Sequence, residues 1–125
     1  MTENSIQDVA PARILLVDND QILLDSLGGF LAGEGYDVTP VPNAAEALDH
    51  LQAARYHLVL ADVGMPDEDG FRLVRQIRQE HPDVMVIMIT GYGTIESAVE
   101  AIKQGAHEYL TKPIIDDDVR LAVQR

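Results

Sequence analysis

The sequence predicts an α/β fold, a doubly wound sheet of five parallel strands with helices on both faces. Three observations point there. Short, continuously apolar runs suit strands that are buried on both sides. Between them, apolar residues recur at helical spacing. The two patterns alternate five times along 125 residues, the size of one domain, with no repeat or low-complexity stretch to interrupt them.

A polar tail, residues 1–12, precedes the first apolar run, Arg13 to Val17, which Asp18, Asn19 and Asp20 end. Ile22, Leu23, Leu27, Phe30 and Leu31 follow at helical spacing until Gly33 and Gly35 stop the pattern. A weaker strand, Tyr36 to Val41, leads through Pro42 to a helix over Ala44 to Ala54, with Asn43 as N-cap and alanines favouring the helical state. His57 to Ala61 is the third strand, again followed by an aspartate, Asp62. Asp67 to Gly70 reads as a turn, and Phe71, Val74, Ile77 and Arg78 carry a helix up to His81 and Pro82. Val84 to Ile89 is the most hydrophobic stretch and is rich in β-branched residues, as a central strand is. Thr94 to Gln104 reads as the fourth helix, with Thr94 as N-cap and Gly105 as C-cap. Glu108 to Thr111 is a short fifth strand, and a fifth helix starts at Asp116 with Val119, Leu121 and Val123 as its apolar residues. The acids at 116–118 suit the helix dipole there.

Nine basic against twenty-one acidic residues give a net charge of -12, which repels phosphate backbones and anionic lipid and so argues against direct nucleic-acid or membrane binding. The absence of cysteine excludes disulfides, thiolate zinc sites and a cysteine nucleophile, and fits a cytoplasmic protein. The N-terminus lacks the order of a signal peptide, and no apolar run approaches the ~18 residues of a membrane span. His50, His57, His81 and His107 fall in different elements without metal-ligand spacing, and are expected to be surface or core residues.

Right-handed crossovers put the carboxyl ends of all the strands on one edge, where open α/β sheets bind ligands. Asp18, Asp62, Thr90 and Lys112 end or follow strands one, three, four and five, so two acids, a hydroxyl and an ammonium should converge. Carboxylates without sulfur ligands favour a hard cation such as magnesium or manganese, which also binds phosphate oxygens. An aspartate there can attack a phosphoryl group and hold it as an acyl phosphate while a lysine and the metal neutralise the equatorial oxygens.

Taken together, Leu15-Leu16-Val17-Asp18, Asp62-Val63-Gly64-Met65-Pro66 with Asp69-Gly70, Ile89-Thr90-Gly91 and Lys112-Pro113 resemble the receiver domains of bacterial two-component response regulators, over residues 13–125. The resemblance implies the strand order 2-1-3-4-5, which sets Asp18 and Asp62 across the topological switch point. It also implies Asp62 as phosphoacceptor, Asp18 as a metal-site acid, Thr90 as the phosphate-sensing hydroxyl and Lys112 as its cationic partner. Gly64 matches a position offering its backbone carbonyl to the metal, Tyr109 the aromatic switch residue, and Lys112-Pro113 a cis peptide. One departure stands out. The family has two acids after strand one, whereas the second position here is Asn19; it can ligate through its amide oxygen but brings no charge, so weaker magnesium binding is expected. Asp20 either compensates or caps the first helix.

Each residue alone has a plainer reading: Asp18 as a capping aspartate, Asp62 as the start of a turn, Thr90 as a strand end, Tyr109 as edge packing, Lys112 as a solvated lysine. Their joint occurrence at four strand ends favours the site. Two other functions compete. Asp18-Asn19-Asp20 also fits the opening motif of haloacid-dehalogenase-like phosphohydrolases, which would make Asp18 the nucleophile and leave Asp62 without a role. A receiver-like binding module that no longer accepts phosphate is the other, and Asn19 is what supports it.

Residues 90–106, Thr90-Gly-Tyr-Gly-Thr94 onward, are similar to receivers of sigma-54-dependent enhancer-binding activators. That resemblance implies a sensor histidine kinase as phosphodonor, an ATPase and helix-turn-helix output absent from this chain, and a homodimer as a possible assembly. It also implies a switching face made by helix four, strand five and helix five. The chain ends at Arg125 inside an unfinished helix, so a fragment of a longer regulator is expected.

Overall fold

A computed structural model of the chain describes residues 11–63, 68–91, 94–112 and 116–124. Five strands, β1 (Arg13–Val17), β2 (Asp37–Val41), β3 (Leu58–Val63), β4 (Met85–Thr90) and β5 (Glu108–Thr111), form one sheet in the order β2-β1-β3-β4-β5, every pair parallel. Helices α1 (Gln21–Gly33), α2 (Ala44–Ala53), α3 (Glu68–Glu80), α4 (Ile95–Gln104) and α5 (Asp116–Gln124) alternate with them. The doubly wound fold and its expected strand order are both present.

The strands are buried on both faces, and their alternation divides the core in two. Leu15, Val17, Val59, Ala61, Val86 and Met88 pack with α2, α3 and α4, while Ile14, Leu16, Leu58, Leu60, Ile87 and Ile89 pack with α1 and α5. Edge position explains the weaker β2 pattern, because a proline, Pro40, is tolerated where a ladder hydrogen bond is missing on one side. Gly105 is the αL C-cap of α4 at φ 117°. A Cβ there would also lie 2.5 Å from Arg78 Cγ, so both backbone and packing call for glycine.

Several boundaries differ from expectation. β3 runs on to Val63 and β4 to Thr90, so Asp62 and Thr90 sit within their strands, where pairing holds their backbones. Glu68 to Gly70, expected in a turn, form the first turn of α3, while Asp67 lies outside the described residues. The inner face of α1 is Leu24, Leu27 and Leu31, whereas Ile22 is 79% exposed. In α5 the buried pair is Val119 and Ala122, spaced i, i+3, and Leu121 points outward. Of the expected tail, residues 1–10 lie outside the described residues, but the Ala12 carbonyl already accepts the Asp37 N–H at 3.0 Å at the sheet edge. Among the described residues, no helix is long and apolar enough to cross a membrane.

Candidate functional site

The carboxyl edge of β1, β3, β4 and β5 brings the expected residues together. Val17 pairs with Ala61, so Asp18 and Asp62 are the next residues on adjacent strands. Thr90 pairs with Val63 on one side and Thr111 on the other, and its carbonyl accepts the Lys112 N–H at 2.9 Å. Lys112 Nζ then reaches back across the edge to Asp62 Oδ2 at 3.0 Å. Asp18 and Thr90 are buried, and the Asp62 side chain is 1% exposed.

Burial of two acids on neighbouring strands is electrostatically costly. Burial raises the Asp62 carboxyl, the Lys112 contact draws it down, and the nearby Asp18 charge raises it again; the outcome is about 7. Asp18 Oδ1 accepts the Asp20 N–H at 3.0 Å, but Asp18 Oδ2 is buried without a hydrogen-bond partner among the described residues. An oxygen of this kind beside a second carboxylate, in a donor set of oxygens alone, fits a hard divalent cation.

The residues after β1 separate into three roles. Asp20 Oδ1 accepts the Ile22 N–H at 3.0 Å as the N-cap of α1, so its carboxylate is spent on the helix. Asn19 is exposed beside it. Gly64 and Pro113 lie outside the described residues.

Tyr109, half-buried on β5, packs with the cluster shared by Met88 and Ala101. Its hydroxyl lies 2.7 Å from Ser97 Oγ on α4. Sequence reading missed Ser97; a hydroxyl three residues after the N-cap Thr94 was the available sign, since that is the reciprocal position of a capping box. Two of the histidines are structural: Nδ1 of His57 accepts the Arg13 N–H at 2.9 Å, and Nδ1 of His107 accepts that of Val86 at 3.0 Å.

Residues 14–124 match the family described as response regulator receiver domain. The chain belongs to that family. It is a receiver domain of a two-component response regulator, as the motifs implied, and the match does not favour a phosphohydrolase. The chain is 40% identical over 113 residues to the transcriptional regulatory protein GlrR of Escherichia coli (strain K12), covering 90% of this chain and 26% of that protein. It therefore spans about a quarter of that relative's length. Among solved structures, the beryllofluoride-activated NtrC4 receiver domain dimer superposes with a TM-score of 0.83 at 36% identity, covering 90% of this chain and 93% of the other. A response regulator from Burkholderia pseudomallei, with a phosphorylated aspartic acid and a calcium ion, superposes at 0.81 with 29% identity, covering 90% and 66%. The likeness to GlrR and NtrC4 bears out the resemblance drawn from residues 90–106.

Proposed function

We propose that this receiver takes a phosphoryl group from the phosphohistidine of a sensor kinase onto Asp62. The supporting observation is the geometry of that one side chain: a buried carboxylate on the ligand edge of the sheet, with an ammonium 3.0 Å away and a second carboxylate alongside. In the transfer a carboxylate oxygen of Asp62 forms a bond to phosphorus. The phosphorus–nitrogen bond of the phosphohistidine breaks, and the imidazole leaves with the electron pair. Lys112 counters the negative charge on the phosphoryl oxygens, and the Thr90 hydroxyl donates to one of them. Asp18, Asp62, the Asn19 amide oxygen and the Gly64 carbonyl are the groups proposed to hold magnesium or manganese. When bound, the ion supplies positive charge to the phosphate oxygens and offsets the paired acids. Calcium in the Burkholderia pseudomallei relative supports a divalent ion in this family.

Phosphorylation then biases a two-state equilibrium in which Thr90 and Tyr109 respond to the new anion and the face of α4, β5 and α5 repacks. That face controls an output domain, taken to be an ATPase followed by a helix-turn-helix, and supports dimerisation of the regulator. The NtrC4 receiver dimer supports the last point. Beyond accepting phosphate from a donor and losing it slowly, the domain needs no enzymatic activity, and it acts in the cytoplasm. Treating the chain with acetyl phosphate and magnesium and measuring intact mass tests the reading. The parent should gain one phosphoryl group and Asp62→Ala none, whereas label that survives Asp62→Ala but not Asp18→Ala would reject it.

A further inference from the structure

α4 is anchored lightly. Its one fully buried residue is Ala101, and Ile95, Val99 and Ile102 are 86%, 49% and 50% exposed. A helix with so little buried surface opens easily, so the contacts at its ends matter to its placement. Its C-terminal end is closed by Gly105, and the Arg75 guanidinium of α3 donates to Gln104 Oε1 at 2.9 Å. At its N-terminal end everything meets at one oxygen, Ser97 Oγ. That atom accepts the Thr94 N–H at 2.9 Å and directs its own proton to the Thr94 carbonyl at 3.0 Å, while Thr94 Oγ1 accepts the Ser97 N–H at 3.0 Å. Thr94 Oγ1 also lies 3.1 Å from Ser97 Oγ, and the Tyr109 hydroxyl meets the same atom at 2.7 Å, where either oxygen can donate.

The oxygen that closes the α4 cap is therefore also where β5 attaches to that helix. Tyr109 pairs with Met88 on β4, and Met88 and Thr90, two residues apart, address the same face of the sheet. Three residues join Thr90 to the N-cap Thr94. The Ser97–Tyr109 contact thus ties the ring on β5, which lies on the face of the sheet that Thr90 addresses, to the first turn of α4.

We infer that Ser97 is a positioning residue, whose hydroxyl holds Tyr109 against the start of α4 and so sets the resting position of that helix from β5. The hold itself is independent of phosphorylation; only its release rests on the receiver reading given above. A tyrosine hydroxyl bonded to a backbone-capping oxygen lets a ring movement loosen the helix start without touching any main-chain atom of α4.

Amide hydrogen exchange in the 125-residue chain tests this. Tyr109→Phe removes only the hydroxyl, and it should speed exchange at Ala98 and Val99 about three- to tenfold while leaving α2 unchanged. Ser97→Ala should do at least as much, the double variant no more than Ser97→Ala alone, and Ser97→Thr should restore protection. Exchange at Ala98 that is unaffected by Tyr109→Phe would make Ser97 a helix cap only and overturn the inference, even if Ser97→Ala unfolds the turn. A second arm adds beryllofluoride with magnesium. The resulting change in α4 protection should fall to less than about half in Tyr109→Phe, and an equal response in the two proteins would likewise overturn the coupling. Failure of the Asp62 reading itself would appear separately, as a parent chain that gains no phosphoryl mass, and the first arm would decide the inference regardless.

Discussion

The two edges of the sheet are built on opposite principles. At the amino edge of β3 and β5, a histidine precedes the strand and completes the neighbouring ladder twice over. His57 donates its N–H to the Arg13 carbonyl at 2.9 Å and accepts the Arg13 N–H at Nδ1; His107 does the same with Val86 at 2.7 and 3.0 Å. At the carboxyl edge, two acids are buried side by side and Asp18 Oδ2 has no hydrogen-bond partner among the described residues. His57 and His107 spend their polar groups on the fold, although His81 Nε2 at the amino edge is also buried without a hydrogen-bond partner among the described residues; the carboxyl edge instead gathers two acids and an ammonium where a ligand can meet them. Cavity size does not tell them apart. A cleft of about 500 Å³ lies at the amino edge between the ends of α2 and α3, and one of about 480 Å³ between α1 and α5 abuts Lys112. The paired acids and Lys112 converge beside the second.

Cutting at each edge should give opposite phenotypes. Lys112→Ala removes the cation beside Asp62 and should slow acyl-phosphate formation about 100-fold, read from the growth of the phosphorylated mass in acetyl phosphate. At the amino edge, Gly105→Ala forces a side chain into positive φ and against Arg78, whose guanidinium donates to the Pro82 carbonyl at 2.9 Å and limits its freedom to yield. It should cost about 2 kcal/mol in a urea melt while leaving phosphorylation intact. Slowed phosphorylation in Gly105→Ala with no loss of stability would erase the distinction.

Smaller effects sharpen the contrast. Asn19→Asp should tighten magnesium binding about tenfold by calorimetry, by restoring a charge to the site. Asp20→Asn should leave it unchanged, because that carboxylate caps α1. The smallest expected effect is one of pH. Burial, and then the charge of Arg78, lowers the His107 pKa below its usual 6.5. The folded state therefore favours the neutral ring whose Nδ1 the Val86 N–H occupies. The associated stability is complete above about pH 6.5 and is lost as pH falls through the folded value. Because His107 is only partly shielded from solvent, the loss should stay under about 1 kcal/mol, and the urea midpoint of His107→Ala should fall less between pH 7.5 and 5.5 than that of the parent.

What could be read from the sequence follows from which signals are local. The buried runs of β1, β3 and β4 and the caps Asn43, Thr94 and Gly105 each depend on a few adjacent residues, and each was legible. The strand order came through the family resemblance. Where apolar residues are adjacent, as in Ile22-Leu23-Leu24, the helical period alone does not choose the inward face, and the packing of Leu24 against the sheet decides it. Asp62, Asp18, Thr90 and Lys112 were legible because each lies in or just past the carboxyl end of a strand, and the topology gathers those ends. The Ser97–Tyr109 contact was not, because it joins a helix to a strand twelve residues on through one hydroxyl pair.

The most direct measurement is to trap the acyl phosphate chemically. Borohydride reduces a phosphorylated aspartate to homoserine, and peptide mapping then reports which residue carried the phosphoryl group. Homoserine at position 62, with Asp18 and Asp20 unchanged, is the predicted result; homoserine at 18, or at neither position after confirmed labelling, would contradict the account.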